Sequence, residues 1–307
     1  MGSAVKILFR PAKAKPVFLH SSLSVGQAKL ICFRAILWQV NANLEGVLYA
    51  GRDEHVHQLR SALRRLRTAR RLFALSMNAK KWAPLDKRTD TLEQRMGEIR
   101  DLDVLIQRLQ KMENDNPLIS LVRQAAVEKR HIQFDGVLKF LVTHQIKTLM
   151  LHMQKLITTD SSSSEANTFI IPFASEALEK QYKKVKSLIK RWDSLDDENR
   201  HLLRRRVKRL TITAELFSSL FSQKKIKPYL KVLHHLQKSL GNFNDYIMFQ
   251  VLLSDLGIKH SNLVPGLLQL KEEFNKRACS MKDSCTKDLV HLINVPDFWS
   301  SPSGRVR

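Results

Sequence analysis

The stretch His57-Gln58-Leu59-Arg60-Ser61-Ala62-Leu63-Arg64-Arg65-Leu66-Arg67-Thr68-Ala69-Arg70-Arg71 carries two helical patterns at once. At about 100° per residue, His57, Arg60, Arg64, Arg67 and Arg71 fall in one narrow stripe, because their spacings alternate between three and four. Leu59, Ala62, Leu63, Leu66, Ala69 and, just beyond, Phe73 form a separate apolar face. The segment therefore predicts a helix with one side for a core and one side that is cationic. Solvated helix faces usually mix signs, with acids four residues from bases. Here no Asp or Glu lies between Glu54 and Asp86, whereas eight Lys or Arg do. Like charges at i,i+4 cost about 0.2–0.5 kcal/mol per pair. A bound polyanion would offset that repulsion.

The pattern recurs 144 residues later, where His201 matches His57. The same offset pairs Arg60 with Arg204, Arg64 with Lys208, Arg65 with Arg209 and Leu66 with Leu210. It continues without a gap through Leu72/Leu216, Phe73/Phe217, Pro84/Pro228, Leu92/Leu236, Gly97/Gly241 and Asp101/Asp245. Two copies of so long a helical unit predict an all-α fold of two tandem, pseudo-symmetric four-helix bundles. Pro84 and Pro228 are expected in the first turn of the third helix of each copy. Gly97 and Gly241 fall inside expected helices, where glycine costs about 1 kcal/mol relative to Ala. The matched pair predicts close helix contact or close approach to a ligand.

Outward from these motifs, few stretches alternate with the period of a strand. Helical periodicity runs near residues 24–50, 53–78, 84–113, 117–157, 172–192, 196–222, 228–256 and 263–293. Pro11 and Pro16 make residues 1–20 an irregular basic arm. A Ser-rich linker at 160–168 divides the first bundle, 21–159, from the second, 169–294, and residues 295–307 form a tail.

Composition narrows the function. Lys and Arg total 52 against 29 Asp and Glu, a net charge of +23, which calls for a polyanionic partner such as nucleic acid, polyphosphate or an anionic membrane surface. No apolar run approaches the roughly 18 residues of a membrane span. Cys32, Cys279 and Cys285 are too few and too scattered for a disulfide framework or a CxxC zinc site, and fit a reducing cytoplasm. Residues 1–44 contain no acid, a feature compatible with an organellar transit peptide, but they lack a secretory apolar region with a cleavage site.

The first motif, followed by Met96-Gly97-Glu98-Ile99-Arg100-Asp101-Leu102-Asp103-Val104, resembles the first half of a CHAD domain, the conserved histidine α-helical domain. The string from His201 to Leu210, with Leu236-Gln237-Lys238-Ser239-Leu240-Gly241-Asn242-Phe243-Asn244-Asp245, resembles its second half. The resemblance spans about residues 20 to 293. It implies two four-helix bundles around a basic, histidine-lined central groove or pore, and binding of inorganic polyphosphate in the cytoplasm, with association to polyphosphate granules a family-level expectation. Two departures stand out. Thr211 and Ile212 occupy the place of an expected Arg-Tyr pair, and the His234-His235 stretch replaces a basic residue. The triphosphatase module often fused to the family is absent, so no catalysis is implied.

The candidate polyphosphate-binding residues are therefore His57, Arg60, Arg64, Arg67, Arg71, His201, Arg204 and Lys208, with Arg65, Arg100, Arg209 and His234 as further candidates. Guanidinium forks match phosphate oxygens better than an ammonium does. Asp101 and Asp245 are expected behind them, accepting from Arg side chains of the facing helix. Asp101 and Asp103 stand two apart and do not share a helix face, which argues against a catalytic carboxylate pair. His57 and His201 lack a His or carboxylate at i+3 or i+4, which disfavours a metal site. They also lack the glycine that follows the basic residue in histidine phosphotransfer motifs, which disfavours a phosphohistidine role. No cofactor is expected. A nucleic-acid-binding helical protein is the alternative, but no aromatic residue interleaves with the 57–71 stripe for base stacking.

Overall fold

The computed structural model describes residues 9–112, 116–159, 167–259 and 263–300. Among them are nine α-helices: α1 (Val25–Ala50), α2 (Asp53–Leu72), α3 (Ala79–Met112), α4 (Pro117–Thr143), α5 (Ile146–Thr159), α6 (Ile170–Ile189), α7 (Asp197–Leu216), α8 (Gln223–Lys259) and α9 (Val264–Asn294). The fold is all-α, and an isolated bridge between Ser24 and Phe169 adds no sheet. Local chemistry sets several ends. Ser24 and Gln27 form a reciprocal capping box at the start of α1, and Gly51, with φ 59°, ends it. Asp196 caps α7 by accepting from the Asn199 amide. In both copies the basic helix stops at the matched position, Leu72 or Leu216, and a short 3₁₀ turn follows.

Within each copy consecutive helices pack on one another, and four of the five helices of the first copy also touch a helix of the second: α1 on α6, α2 on α7, α3 on α8 and α4 on α9. Phe73 and Phe217, equivalent in the repeat, meet edge to face with centroids 6.3 Å apart, and Phe173 stacks on Phe73 at 5.4 Å. The apolar face of α2 is buried throughout, from Leu59 to Phe73. One core cluster draws on both copies. A second joins Leu105 and Leu109 of α3, Val122 and Ala126 of α4, Phe249 and Leu253 of α8, and Leu270 and Phe274 of α9. Burial of apolar area, at about 25 cal/mol per Å², thus ties the copies together instead of stabilising each separately.

The described segments before α1 and after α9 take part in this packing. Residues 9–20 are irregular, but they strap across α1: Val17 and Leu19 are buried, and the Asn43 side chain both donates to the Ala12 carbonyl at 2.8 Å and accepts from its amide at 3.0 Å. Residues 1–8 of the expected arm, 160–166 of the expected linker and 301–307 of the expected tail lie outside the described residues. Phe298 and Trp299 are buried against Tyr229, and the Trp299 indole donates to Glu179 at 3.0 Å.

Several helix boundaries differ from expectation. The basic helices expected over 53–78 and 196–222 stop at Leu72 and Leu216, where the 3₁₀ turns take over. Pro84 and Pro228 both lie at the sixth helical position, since α3 starts at Ala79 and α8 at Gln223. Asn78 caps the earlier start by accepting from the Lys81 amide at 3.2 Å. The carbonyls left without the proline N–H belong to Lys80 and Lys224, both exposed residues that water can serve. The expected helix 117–157 breaks at Gln145, which takes φ 46°. That conformation costs roughly 1–2 kcal/mol outside glycine; the turn it makes lets α5 pack on α1.

Two glycines of α1 and α8 should respond oppositely to alanine. A Cβ at Gly46 would sit 2.0 Å from the ring of fully buried His55, whereas one at Gly241 has nothing within 4 Å. Gly46→Ala should lower stability by about 1–3 kcal/mol through overpacking. Gly241→Ala should raise it by up to about 1 kcal/mol through helix propensity. Urea unfolding of the two variants checks both signs.

Candidate functional site

The α2·α7 contact brings the two basic stripes face to face. A cavity of ≈ 830 Å³ is lined from α2 by Arg60, Arg64, Arg67 and Arg71, and from α7 by His201, Arg204, Arg205, Arg206, Lys208 and Arg209. Helix α3 contributes Lys87, Asp90, Glu93, Gly97, Glu98 and Asp101. A second cavity, of ≈ 340 Å³, is lined by His57, Arg65, Arg100, Glu215, Gln237 and Asp245 among others. Arg60, Arg64, Asp101, Arg204 and Lys208 line both and so form the wall between them.

Carboxylates hold this wall in matched fashion. Arg60 Nη1 donates to Asp101 Oδ1 at 3.4 Å, and Arg204 Nη2 lies 3.7 Å from Asp245 Oδ1. The Nε groups of Arg60 and Arg204, again equivalent in the repeat, are buried without a hydrogen-bond partner. The close approach expected at the matched glycines occurs once: a Cβ at Gly97 would lie 3.3 Å from Arg60 Nη2, while Gly241 faces open space. Asp103 is not part of the cluster. It is buried and accepts from Arg130 of α4 at 2.9 Å.

The first copy holds an acid that the repeat does not predict. Glu93 is 5% exposed and accepts from Arg67 at 2.9 Å, with Arg64 Nε at 3.5 Å. Asp90 reaches Arg67 at 3.8 Å. The equivalent of Glu93 in the second copy is neutral Gln237. Only one of the two basic helices therefore has a buried acid bracing the middle of its stripe.

The positive charges outweigh these acids. Burial, then Arg204, Arg64 and Arg60, push the Lys208 pKa well below the ordinary lysine value, with Asp245 opposing weakly. Burial and then Arg60 bring Arg64 down to about 10 despite Glu93. Burial, followed by Arg71, Arg67, Arg206 and Arg205, likewise brings Arg209 down to about 10. His57 and His201 are both lowered, by burial first and then by neighbouring arginines, with the Asn244 hydrogen bond opposing at His201. In the free protein, burial thus opposes the protonated form of both histidines.

The matched histidines do not occupy matched settings. His57 lines the smaller cavity. His201 lines the larger one, and its Nδ1–H donates to Asn244 Oδ1 at 2.8 Å. Asn244 stands where the first copy has Arg100, which lines the smaller cavity. Arg71 is exposed at the larger cavity. Two of the further candidates are engaged by Glu215. Arg65 is 7% exposed and pairs with Glu215, and His234 lines neither cavity but donates to Glu215 at 3.0 Å. Glu93 and Asn244 were not legible as site residues, because each meets the stripe only through tertiary packing; Glu215 lies on α7 itself at the repeat position of Arg71, and the 144-residue offset is the signal that could have found it.

Among the described residues no group of three or more His, Cys, Asp or Glu could hold a metal ion, and no helix is long and apolar enough to cross a membrane. No curated protein matches the chain in sequence. A crystal structure of the CHAD domain from the plant Ricinus communis superposes with a TM-score of 0.80 at 22% identity, covering 94% of this chain and 99% of that one. PptA from Streptomyces chartreusis superposes with a TM-score of 0.61 at 9% identity, over 91% of this chain and 99% of that one. Residues 32–254 match the CHAD domain in sequence; with its duplicated basic helices and CHAD-like fold, the chain belongs to the CHAD family.

Proposed function

We propose that this chain is a non-catalytic binding protein for inorganic polyphosphate, with two four-helix bundles framing a basic groove between α2 and α7. One observation carries the reading. Arg60, Arg64, Arg204 and Lys208, from two copies of a repeat, converge on one wall, where burial and the neighbouring cations disfavour the charged forms of Arg64, Arg204 and Lys208. Such convergence costs stability unless a ligand supplies negative charge. A flexible chain of phosphates offers closely spaced charges and no bulky base, which suits cavities whose linings include no Phe, Tyr or Trp. Single-stranded nucleic acid would want aromatic platforms there. The family membership supports the same partner. Buried Cys32 and Cys285 and exposed Cys279 are all free thiols, in keeping with work in a reducing cytoplasm beside polyphosphate stores.

The contributing residues in this reading are His57, Arg60, Arg64, Arg67, Arg71, Arg100, His201, Arg204, Lys208 and Arg209, with Asp101 and Asp245 orienting Arg60 and Arg204. Arg65 and His234 are assigned to Glu215.

Calorimetric titration with polyphosphate of defined length tests the proposal. The logarithm of affinity should fall roughly linearly with the logarithm of salt concentration, with a slope of several released ions; a flat dependence would refute phosphate contact through this cluster. At equal phosphate concentration, polyphosphate should displace DNA or RNA far better than the reverse.

Residue identity gives a sharper test. A charge-assisted contact in the cluster is worth about 1.5–3 kcal/mol, whereas an exposed charge outside it contributes below about 1 kcal/mol. Arg60→Ala, Arg64→Ala and Arg204→Ala should each weaken binding at least tenfold, and Arg65→Ala much less. Equal losses at all four would indicate a diffuse basic surface.

The pH dependence has a definite sign. Polyanion binding raises the depressed Lys208 pKa, so a proton is taken up on binding wherever free Lys208 is neutral. Affinity should therefore be greatest below the free-state pKa and fall as pH rises through it. Lys208→Arg, which keeps its charge to higher pH, should flatten that fall.

A further inference from the structure

Beside the site, the repeat exchanges the signs of one matched acid and base. Offset by 144, Arg71 corresponds to Glu215, and Asp90 corresponds to His234. The base on the basic helix and the acid on the helix after it have exchanged signs. Arg71 adds a cation to the larger cavity. Glu215 lines the smaller one, accepting from His234 Nε2 at 3.0 Å and from Arg65.

Glu215 does two things to the smaller cavity. It sets a carboxylate, itself only partly exposed, among the side chains that an entering anion would meet. It also engages Arg65, a buried guanidinium that lines the same cavity and would otherwise be available to phosphate. Burial favours the neutral acid at Glu215, but the His234 and Arg65 contacts overcome it and hold the carboxyl below its ordinary value. The acid therefore stays ionised at neutral pH. In the larger cavity its counterpart is the cation Arg71, and Arg209, the counterpart of Arg65, sits among Arg71, Arg67, Arg206 and Arg205, while the acids of that cavity, Asp90, Glu93, Glu98 and Asp101, all lie on α3.

We propose that Glu215 is a specificity-determining residue that confines the polyanion to the larger cavity by closing the smaller one to phosphate. The inference rests on the polyphosphate reading of the same site. The bound stretch then lies against Arg67, Arg71 and Arg209 and ends at the wall of Arg60, Arg64, Arg204 and Lys208. A chain too short to extend past that wall does not meet Glu215, whereas a longer one does.

Glu215→Gln tests this with two probes, sodium tripolyphosphate and a long-chain polyphosphate, titrated at two salt concentrations. The variant should bind the long chain about three- to tenfold more tightly than the unaltered protein, with a salt slope steeper by about one ion, while tripolyphosphate affinity stays within about twofold. Adding Arg65→Gln to Glu215→Gln should abolish the gain, because the freed guanidinium supplies it. Glu215→Thr, which removes the acid with a different side chain, must show the same length-selective gain and guards against a folding defect of the amide. Asp135→Asn, the same change of net charge at an exposed site outside both cavities, should leave both affinities unchanged. A gain in Asp135→Asn equal to that in Glu215→Gln would overturn the proposal in favour of overall charge, and an equal gain for both probes would overturn the length argument. Tight binding by the unaltered protein with no gain in either Glu215 variant would refute the closure alone, whereas no binding by the unaltered protein would refute the polyphosphate reading itself.

Discussion

The contact between α2 and α7 forces like charges together, and much of the architecture around it answers that one repulsion. Four cations share a wall that water reaches poorly, and burial together with Arg60 and its neighbours disfavours the ionisation of Arg64, Arg204 and, most of all, Lys208. The apolar faces of the same two helices pull in the opposite direction, with Leu59 to Phe73 and Leu203 to Phe217 carried into the core. Full burial of a large apolar side chain contributes about 1.5–3 kcal/mol, and each helix presents several. The core can therefore hold the stripes together against a repulsion that no isolated helix pair would tolerate.

Carboxylates moderate that repulsion without removing it. Asp101 and Asp245 each take one arginine of the wall at 3.4 and 3.7 Å, long enough to orient a guanidinium while leaving its other donors uncommitted. Glu93 takes two arginines of α2 at once. Breaking a buried pair of this kind usually costs more than the pair contributes, because the surviving charge is left unpaired. These acids are better understood as holding the fork-shaped donors in register than as a source of stability.

The expectations from sequence that agree with the structure are those that depend on position along one helix. The 57–71 stripe, its apolar counter-face and the 144-residue offset reappear because helical period fixes them before any packing occurs. The boundary errors have tertiary causes. Pro84 reads as a helix start, yet the exposed Lys80 carbonyl lets the helix begin earlier at the Asn78 cap. Nothing in His144-Gln145 signals a break, since neither residue is Gly or Pro; the turn exists because α5 finds a surface on α1. Glu93 and Asn244 were hidden for the same reason. Each lies on a helix whose rotation relative to the stripe is set by packing, and single-helix periodicity carries no information about it.

The departures from symmetry say most about how the two copies differ in use. Duplication alone would give both cavities the same lining, so each unmatched position marks a place where the repeats have diverged. Arg100 against Asn244, Glu93 against Gln237 and Arg71 against Glu215 all differ in charge, and all six line one or other cavity or bond to a residue that does. The matched positions, by contrast, are the wall itself: Arg60 and Arg204, Arg64 and Lys208, Asp101 and Asp245. A shared wall flanked by dissimilar cavities gives a two-fold scaffold two unequal faces. That inequality follows from a handful of side chains, with the backbone repeat left intact.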